Sequence, residues 1–346
     1  MATSIARCML PANRSMVEVQ TSILAEGLTA RPAREQDLLA WTALMRQCEI
    51  ELYGVPETTL ADMQRMWTDP GFRAESDSWV ISTTAGKVVA AASISHRAYV
   101  RAYATFNVHA DYRHQGIEDY LLQALEERAR QFIPLAPPET RVTLRVSCSS
   151  VDHDTPHILA AHGFTLVRHI WRMAITLHEA PPAAHWAEGI QMRTFVPGME
   201  HSVYEADEEI FKDHWGYIPT DYAAWRHIAI ERADFDPSLW FLAMDGEQIA
   251  GIALCNDERV NGGWVHVLGV GRAWRRQGIG QALLQHAFAE FYRRGQNDIY
   301  LSVDSQNLTG ATRLYERVGM HVDRQQDRYE KELRPGKELS VQSLTD

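Results

Sequence analysis

Cysteine is scarce in this chain of 346 residues. The four thiols, Cys8, Cys48, Cys148 and Cys255, are scattered without a Cys-x-x-Cys pair. That excludes a disulfide framework and predicts free thiols in a reducing cytoplasm. Long apolar runs are also missing: none approaches the ~20 residues of a membrane helix. The first residues lack the apolar core and small-residue cleavage site of a signal peptide. Basic residues do not dominate. With 34 Lys and Arg against 45 Asp and Glu, the net charge of -11 argues against a nucleic-acid partner and suits a cationic small substrate. A metal framework such as His-Glu-x-x-His is absent, so no metal is expected. The one crowded set, Asp152, His153, Asp154, His157 and His162, reads as a solvated helix start with Asp154 as its cap before Thr155-Pro156.

What is present is the composition of a soluble globular protein, 45% apolar and 23% charged, with the length of about two domains. Residues 265–285, VHVLGVGRAWRRQGIGQALLQ, organise the rest. Val265, Val267 and Gly269 have the character of a half-buried strand. From Ile279 the period changes. Ile279, Leu283, Ala287 and Phe291, widened by Leu284 and Phe288, form one apolar helical face that ends at Arg293, Arg294 and a left-handed Gly295 cap. Between strand and helix lies Arg275-Arg276-Gln277-Gly278-Ile279-Gly280, followed by Gln281. Two glycines at a helix amino end let a ligand approach unpaired N–H groups, and two arginines add charge-assisted donors, so the loop fits a phosphate. It lacks the Lys-Ser/Thr of a P-loop and a three-glycine dinucleotide fingerprint.

The pattern recurs. Placing Val108 on Val270 aligns Arg113, Gln115, Gly116, Ile117, Leu121, Leu122 and Gln123 with identical residues, without a gap. A repeat at half the chain length predicts a duplicated domain rather than a solenoid. The expected layout is a tail at 1–26, one copy at 27–176, a proline- and alanine-rich linker at 177–189, a second copy at 190–333 and a tail at 334–346. In the first copy, periodicity predicts a strand at 27–31, a helix at 34–52 with Leu38, Leu39, Trp41, Leu44 and Met45 inward, a helix at 58–67, and strands at 79–83, 87–95 and 103–108. The second copy follows the same order: a strand at 190–195, helices at 203–211 and 220–230, and paired strands at 239–244 and 248–255. A strand through Ile299, Leu301 and Val303 and a helix at 309–317 come after the motif.

Val270, Arg275, Gly278 and Gly280 fall on the pyrophosphate-loop pattern of the GNAT acyltransferase superfamily, which the chain resembles across both halves. The two-copy layout most resembles the tandem-domain mycothiol synthase family. The resemblance implies an α/β (α+β) fold, with two tandem GNAT-like domains, each a mixed, mostly antiparallel sheet flanked by helices. It implies acetyl-CoA as cosubstrate, held by Leu268, Gly269, Val270, Arg275, Arg276, Gln277, Gly278, Ile279, Gly280, Gln281 and Asn307, with Tyr315 on the helix that follows. Such enzymes place a glutamate near the start of the motif strand. Counting back from Leu268-Gly269-Val270 puts Trp264 there.

Acyl transfer to an amine needs an oxyanion site, an acid and a base. The backbone N–H groups around Leu268 to Val270 serve the first need. Tyr315, a phenol of pKa ~10, can protonate a thiolate whose conjugate acid lies near ~8.5. An amine of pKa ~10 is about one part in a thousand neutral at pH 7, a penalty near ~4 kcal/mol. Period two puts His266 on the face of Trp264, as base or as an ordinary strand histidine. The acceptor side is expected in the early helices of this copy. Asp207, Glu208, Glu209 and Asp213 there accompany Trp215, Tyr217, Tyr222 and Trp225, and carboxylates beside aromatics suit a protonated amine. Asp213, Trp215 and Trp264 are the substrate candidates.

The first copy reads as catalytically silent. Glu118 replaces Gly280, and aligning Gly163-Phe164 with Gly319-Met320 sets Leu159 opposite Tyr315 and Val151 opposite Asn307. The expected protein is an N-acetyltransferase acting through its second copy on a small-molecule amine, as a monomer or homodimer. Acetylation of a peptide or protein amino terminus, and a non-catalytic acyl-CoA-binding module, are the alternatives.

Overall fold

The computed structural model describes residues 24–339 except Asp213, 233–234, 259–261 and 308–309. Residues 1–23 and 340–346 of the expected tails, together with Cys8 and Thr309, therefore lie outside the described residues.

The first half runs β1 (Leu28–Arg31), α1 (Leu38–Tyr53), α2 (Leu60–Thr68), α3 (Ala74–Asp77), β2 (Ser78–Thr83), β3 (Val88–Arg97), β4 (Arg101–Val108), α4 (Ile117–Arg130), β5 (Val142–Ser149), α5 (Thr155–Ala161) and β6 (Thr165–Thr176). The second half repeats that order with β7 (Ile190–Thr194), α6 (Glu200–Phe211), α7 (Tyr222–Ala229), β8 (Trp240–Asp245), β9 (Gln248–Glu258), β10 (Gly262–Val270), α8 (Ile279–Arg293), β11 (Asp298–Asp304), α9 (Ala311–Arg317) and β12 (His321–Arg334). Local chemistry sets several of these boundaries. Thr59 and Asp62 close a capping box at the start of α2. The α8 stripe is buried along its length, from Ile279 through Leu283, Ala287 and Phe291.

The strands join in the order β1-β2-β3-β4-β5-β12-β6-β11-β10-β9-β8-β7. Neighbours are antiparallel except β4–β5 and β10–β11, which are parallel. The last strand of each half has crossed the midline. Strand β6 pairs with β11, and β12 pairs with β5, while β6 and β12 pair with each other at the centre. Separate cores lie under the two halves, one around Ile81, Leu121 and Leu144, the other around Leu283, Phe288 and Leu301.

Two local expectations change. Leu39 is 69% exposed. A short 3-10 turn at Glu35–Asp37, tied by Asp37 to Arg31 and to the Arg34 N–H, delays α1 to Leu38, and the inward stripe becomes Leu38, Trp41, Leu44 and Cys48. Asp154 does not cap α5. Asp152 does, accepting from the backbone N–H groups of Asp154 and Thr155 and from the Thr155 hydroxyl. In the linker, Leu177 is buried with its N–H on the Asn297 carbonyl, and Trp186 packs near His286 on the second core.

Candidate active site

Strands β10 and β11 touch only through Gly263–Ile299 and Trp264–Tyr300 before they diverge. Beyond that point β10 pairs with β9 alone and β11 with β6, so the inner edge of Leu268, Gly269 and Val270 faces a gap. A cavity of about 570 Å³ fills it. The loop from Arg275 to Gly280 forms one end, and β11, Asn307 and Tyr315 form the opposite wall. Gly278 is the N-cap of α8 at φ 80, a conformation that costs glycine nothing. Ile210 of α6 closes over Gly269, where a Cβ would meet its Cγ2 at 2.2 Å.

Of the residues expected to hold the cosubstrate, Leu268, Gly269, Val270, Arg275, Arg276, Gly278, Ile279, Gly280, Gln281 and Asn307 all line this cavity. Gln277 does not. Its amide donates to the Ala273 carbonyl at 3.4 Å, and Arg275 Nε donates to the Val270 carbonyl at 3.1 Å, so both side chains hold the loop in shape. Asn307 Oδ1 accepts the Ala311 N–H at the start of α9. Tyr315 is buried, which pushes its phenol up to about 12.

His266 owes its position to a bulge. Val265 pairs with Cys255 and Val267 with Leu254, which leaves His266 as the extra residue. Strand β4 pairs with β3 without a shift, so the gap-free alignment of the halves slips by one upstream of this point. His266 lines the first cavity and also an adjoining one of about 460 Å³ between α6, α7 and the β9–β10 pair. Phe211, His214 and Trp215 share that dividing wall.

The adjoining cavity sets several polar groups among aromatic and aliphatic side chains. Asp207 accepts the Trp225 indole N–H at 2.8 Å, and burial raises its carboxyl to about 6. Glu208 accepts from the Tyr217 hydroxyl and the Thr220 N–H. With its amide turned to suit its neighbours, buried Asn256 accepts both Arg232 Nη atoms at 2.8 Å. Glu209 pairs with Lys212 in an exposed position.

The substrate candidates part company here. Asp213 lies outside the described residues. Trp215 lines both cavities, but the first half grips its ring: the guanidinium carbons of Arg145 and Arg168 stand 4.6 and 4.4 Å from its centroid. Arg101 Nη1 donates to the next carbonyl, Gly216, at 2.5 Å. Trp264 lines neither cavity and faces a pocket of the first half instead. Sequence reading missed the bulge and the arginine clamp, because neither leaves a local signal: Arg145 and Arg168 are remote in the chain from Trp215.

The family model described as "Acetyltransferase (GNAT) family" matches residues 38–140 and 201–320. A mycothiol acetyltransferase of Pseudarthrobacter chlorophenolicus is 32% identical over 224 residues, an alignment that covers 61% of this chain and 64%, just under two thirds, of that protein. The crystal structure of a GCN5-related N-acetyltransferase from Sphaerobacter thermophilus is 36% identical, with a TM-score of 0.80 over 92% of this chain and 99% of that one. A tandem GNAT protein from the clavulanic acid biosynthesis pathway, 17% identical, shares the fold at a TM-score of 0.69 over 90% of this chain and 100% of that one. With both glycine loops inside the matched regions, the chain belongs to the acetyltransferase (GNAT) family.

Proposed function

We propose that this protein is an acetyl-CoA-dependent N-acetyltransferase that works through residues 190–333 and acetylates the primary amine of a small molecule. The observation that carries the reading is the shared wall. His266 stands between a cavity with the glycine loop and Tyr315 on one side and a cavity with Asp207 and Glu208 on the other.

In this reading the pyrophosphate of the cosubstrate meets the N–H groups at Gly278 to Gly280 and the positive end of α8. The thioester arm lies in the gap between β10 and β11. The protonated amine enters the adjoining cavity, drawn by its carboxylates, and gives up a proton to His266 directly or through water. Its nitrogen then attacks the thioester carbonyl carbon. Backbone N–H groups on the open edge of Leu268 to Val270 receive the developing oxyanion. As the carbon–sulfur bond breaks, the thiolate takes the Tyr315 proton, and the second proton that the nitrogen loses on forming the amide passes through solvent to the phenolate. Residues 27–176 take no part in the chemistry and supply the arginines that fix Trp215.

Amino sugars, aminoglycosides and amino-acid conjugates fit an acceptor cavity that mixes carboxylates, aromatics and an arginine–asparagine pair. The test is thiol release from acetyl-CoA across a panel of such amines, polyamines and short peptides. An amine-dependent signal that disappears in Tyr315→Phe, with acetyl-CoA binding retained, supports the proposal. Tight binding with no turnover on any amine refutes it in favour of a non-catalytic module.

A further inference from the structure

The first half holds a cavity that the reaction above does not use. It measures about 530 Å³ and lies between α1, α2 and the β3–β4 pair, the counterpart in the first half of the acceptor cavity in the second. Met45, Met63, Met66 and Phe72 give it soft apolar surface. One wall comes from the other half, as Trp264 of β10. The Trp264 indole N–H is buried and has no acceptor among the described residues. A buried donor left unpaired is costly, and an oxygen on an occupant would relieve it.

The charge at the rim is specific. Glu57 is paired with Arg172 and Arg324, and Asp62 with Arg65. Glu49 is held by dipoles alone: the N–H groups of Glu57 and Thr58, at 2.7 and 2.9 Å, and the Thr58 hydroxyl. Among the described residues no cation pairs with it. A carboxylate fixed in this way keeps its orientation toward an arriving cation.

We infer that the first half retains a second binding site, for a small hydroxylated amine, with Glu49 taking the ammonium group and the Trp264 N–H taking a hydroxyl oxygen. The site reports to the reaction centre, because the Trp264 ring stacks on His266 with centroids 5.8 Å apart and planes at 21°. The inference rests on the lining, the orphan donor and the unpaired carboxylate. It stands whether or not the second half acetylates an amine.

The experiment uses the full chain labelled with indole-¹⁵N tryptophan, the Trp264 resonance being identified by its loss in Trp264→Phe. Glucosamine is the probe and glucose its uncharged counterpart. The expected result is a saturable shift of the Trp264 resonance with glucosamine. Glu49→Gln should weaken it roughly tenfold, the scale of one lost charge-assisted hydrogen bond. Ser95→Phe, which puts a ring into the cavity from an exposed position on β3, should abolish it. Asp207→Asn in the acceptor cavity should leave it in place. The inference is overturned if the resonance does not move, if glucose moves it equally well, or if the shift survives both first-half substitutions.

Discussion

The two glycine loops follow the same path and end differently. Each leaves a strand through a 3-10 turn, passes a non-glycine residue at positive φ, His114 at 60° or Arg276 at 66°, and enters its helix through a glycine at 80°. The same ties hold both. Arg113 Nε donates to the Val108 carbonyl at 3.3 Å, as Arg275 does to Val270, and the Gln115 amide donates to Asp111 at 2.9 Å, as Gln277 does to Ala273. Two residues further on they diverge. Gly280 leaves its loop open to a cavity. Glu118 is buried, and its carboxylate accepts the His114 N–H at 3.3 Å. The first loop thus carries its own anion where the second leaves room for a ligand's. Backbone conformation alone does not make a phosphate site; the side chain at this one position decides whether the donors are still available.

The helices after the loops repeat the lesson. Phe164 N–H donates to the Leu159 carbonyl at 3.0 Å, and Met320 N–H to the Tyr315 carbonyl at the same distance. The backbones match, yet one position carries a phenol and the other an aliphatic chain. Breaking this difference gives the largest expected effect. Tyr315→Phe should lower kcat by roughly 10²- to 10³-fold, the range of a lost general acid, while acetyl-CoA affinity measured by calorimetry stays unchanged.

Copying the first loop into the second comes next. Gly280→Glu places a carboxylate where the proposed reading puts the pyrophosphate, and a Cβ 3.3 Å from Leu314. Acetyl-CoA affinity should fall about 10²-fold, the scale of a few kcal/mol between like charges at short range. Gly280→Gln, of the same size without the charge, should lose clearly less; equal losses would mean that space and not charge separates the loops.

The dependence of one half on the other is tested at the clamp. Arg168→Gln removes one of two guanidinium groups from the Trp215 ring, an interaction worth about 0.5–2 kcal/mol. The KM for the amine should rise roughly three- to tenfold with the KM for acetyl-CoA unmoved. Arg168→Lys should recover part of the loss. A parallel rise in both constants would point to general loosening instead.

The smallest effect is on stability. Burial raises the folded Asp207 carboxyl to about 6, above its unfolded value near ~3.9. The folded state therefore holds the proton longer, and stability falls as pH climbs from about 4 through about 6, by at most roughly 3 kcal/mol. Asp207→Asn, which still accepts from Trp225, should raise Tm by a few degrees at pH 8 and have little effect at pH 4. A Tm difference independent of pH would assign the effect to packing rather than to the proton.

The amino-acid sequence by itself determined much of what works over a few residues, although it misplaced the cap of α5 and the phase of α1. Period 3.6 marked the buried stripe of α8, the glycine at the helix start marked the loop, and the internal repeat marked the second copy. Together these placed Gly278 and Gly280, and the resemblance to the GNAT superfamily placed Asn307 and Tyr315, on elements that converge on one cavity. Periodicity and glycine conformation are local, so the α8 stripe and the loop are legible without a structure. Tertiary structure alone decided the exchange of β6 and β12 across the midline, the bulge that turns His266 to the wall between two cavities, the arginines on Trp215, and the turning of Trp264 toward the first half. Each of these depends on which distant strand pairs with which. Strand alternation alone fixes which face a residue takes and leaves its partner open.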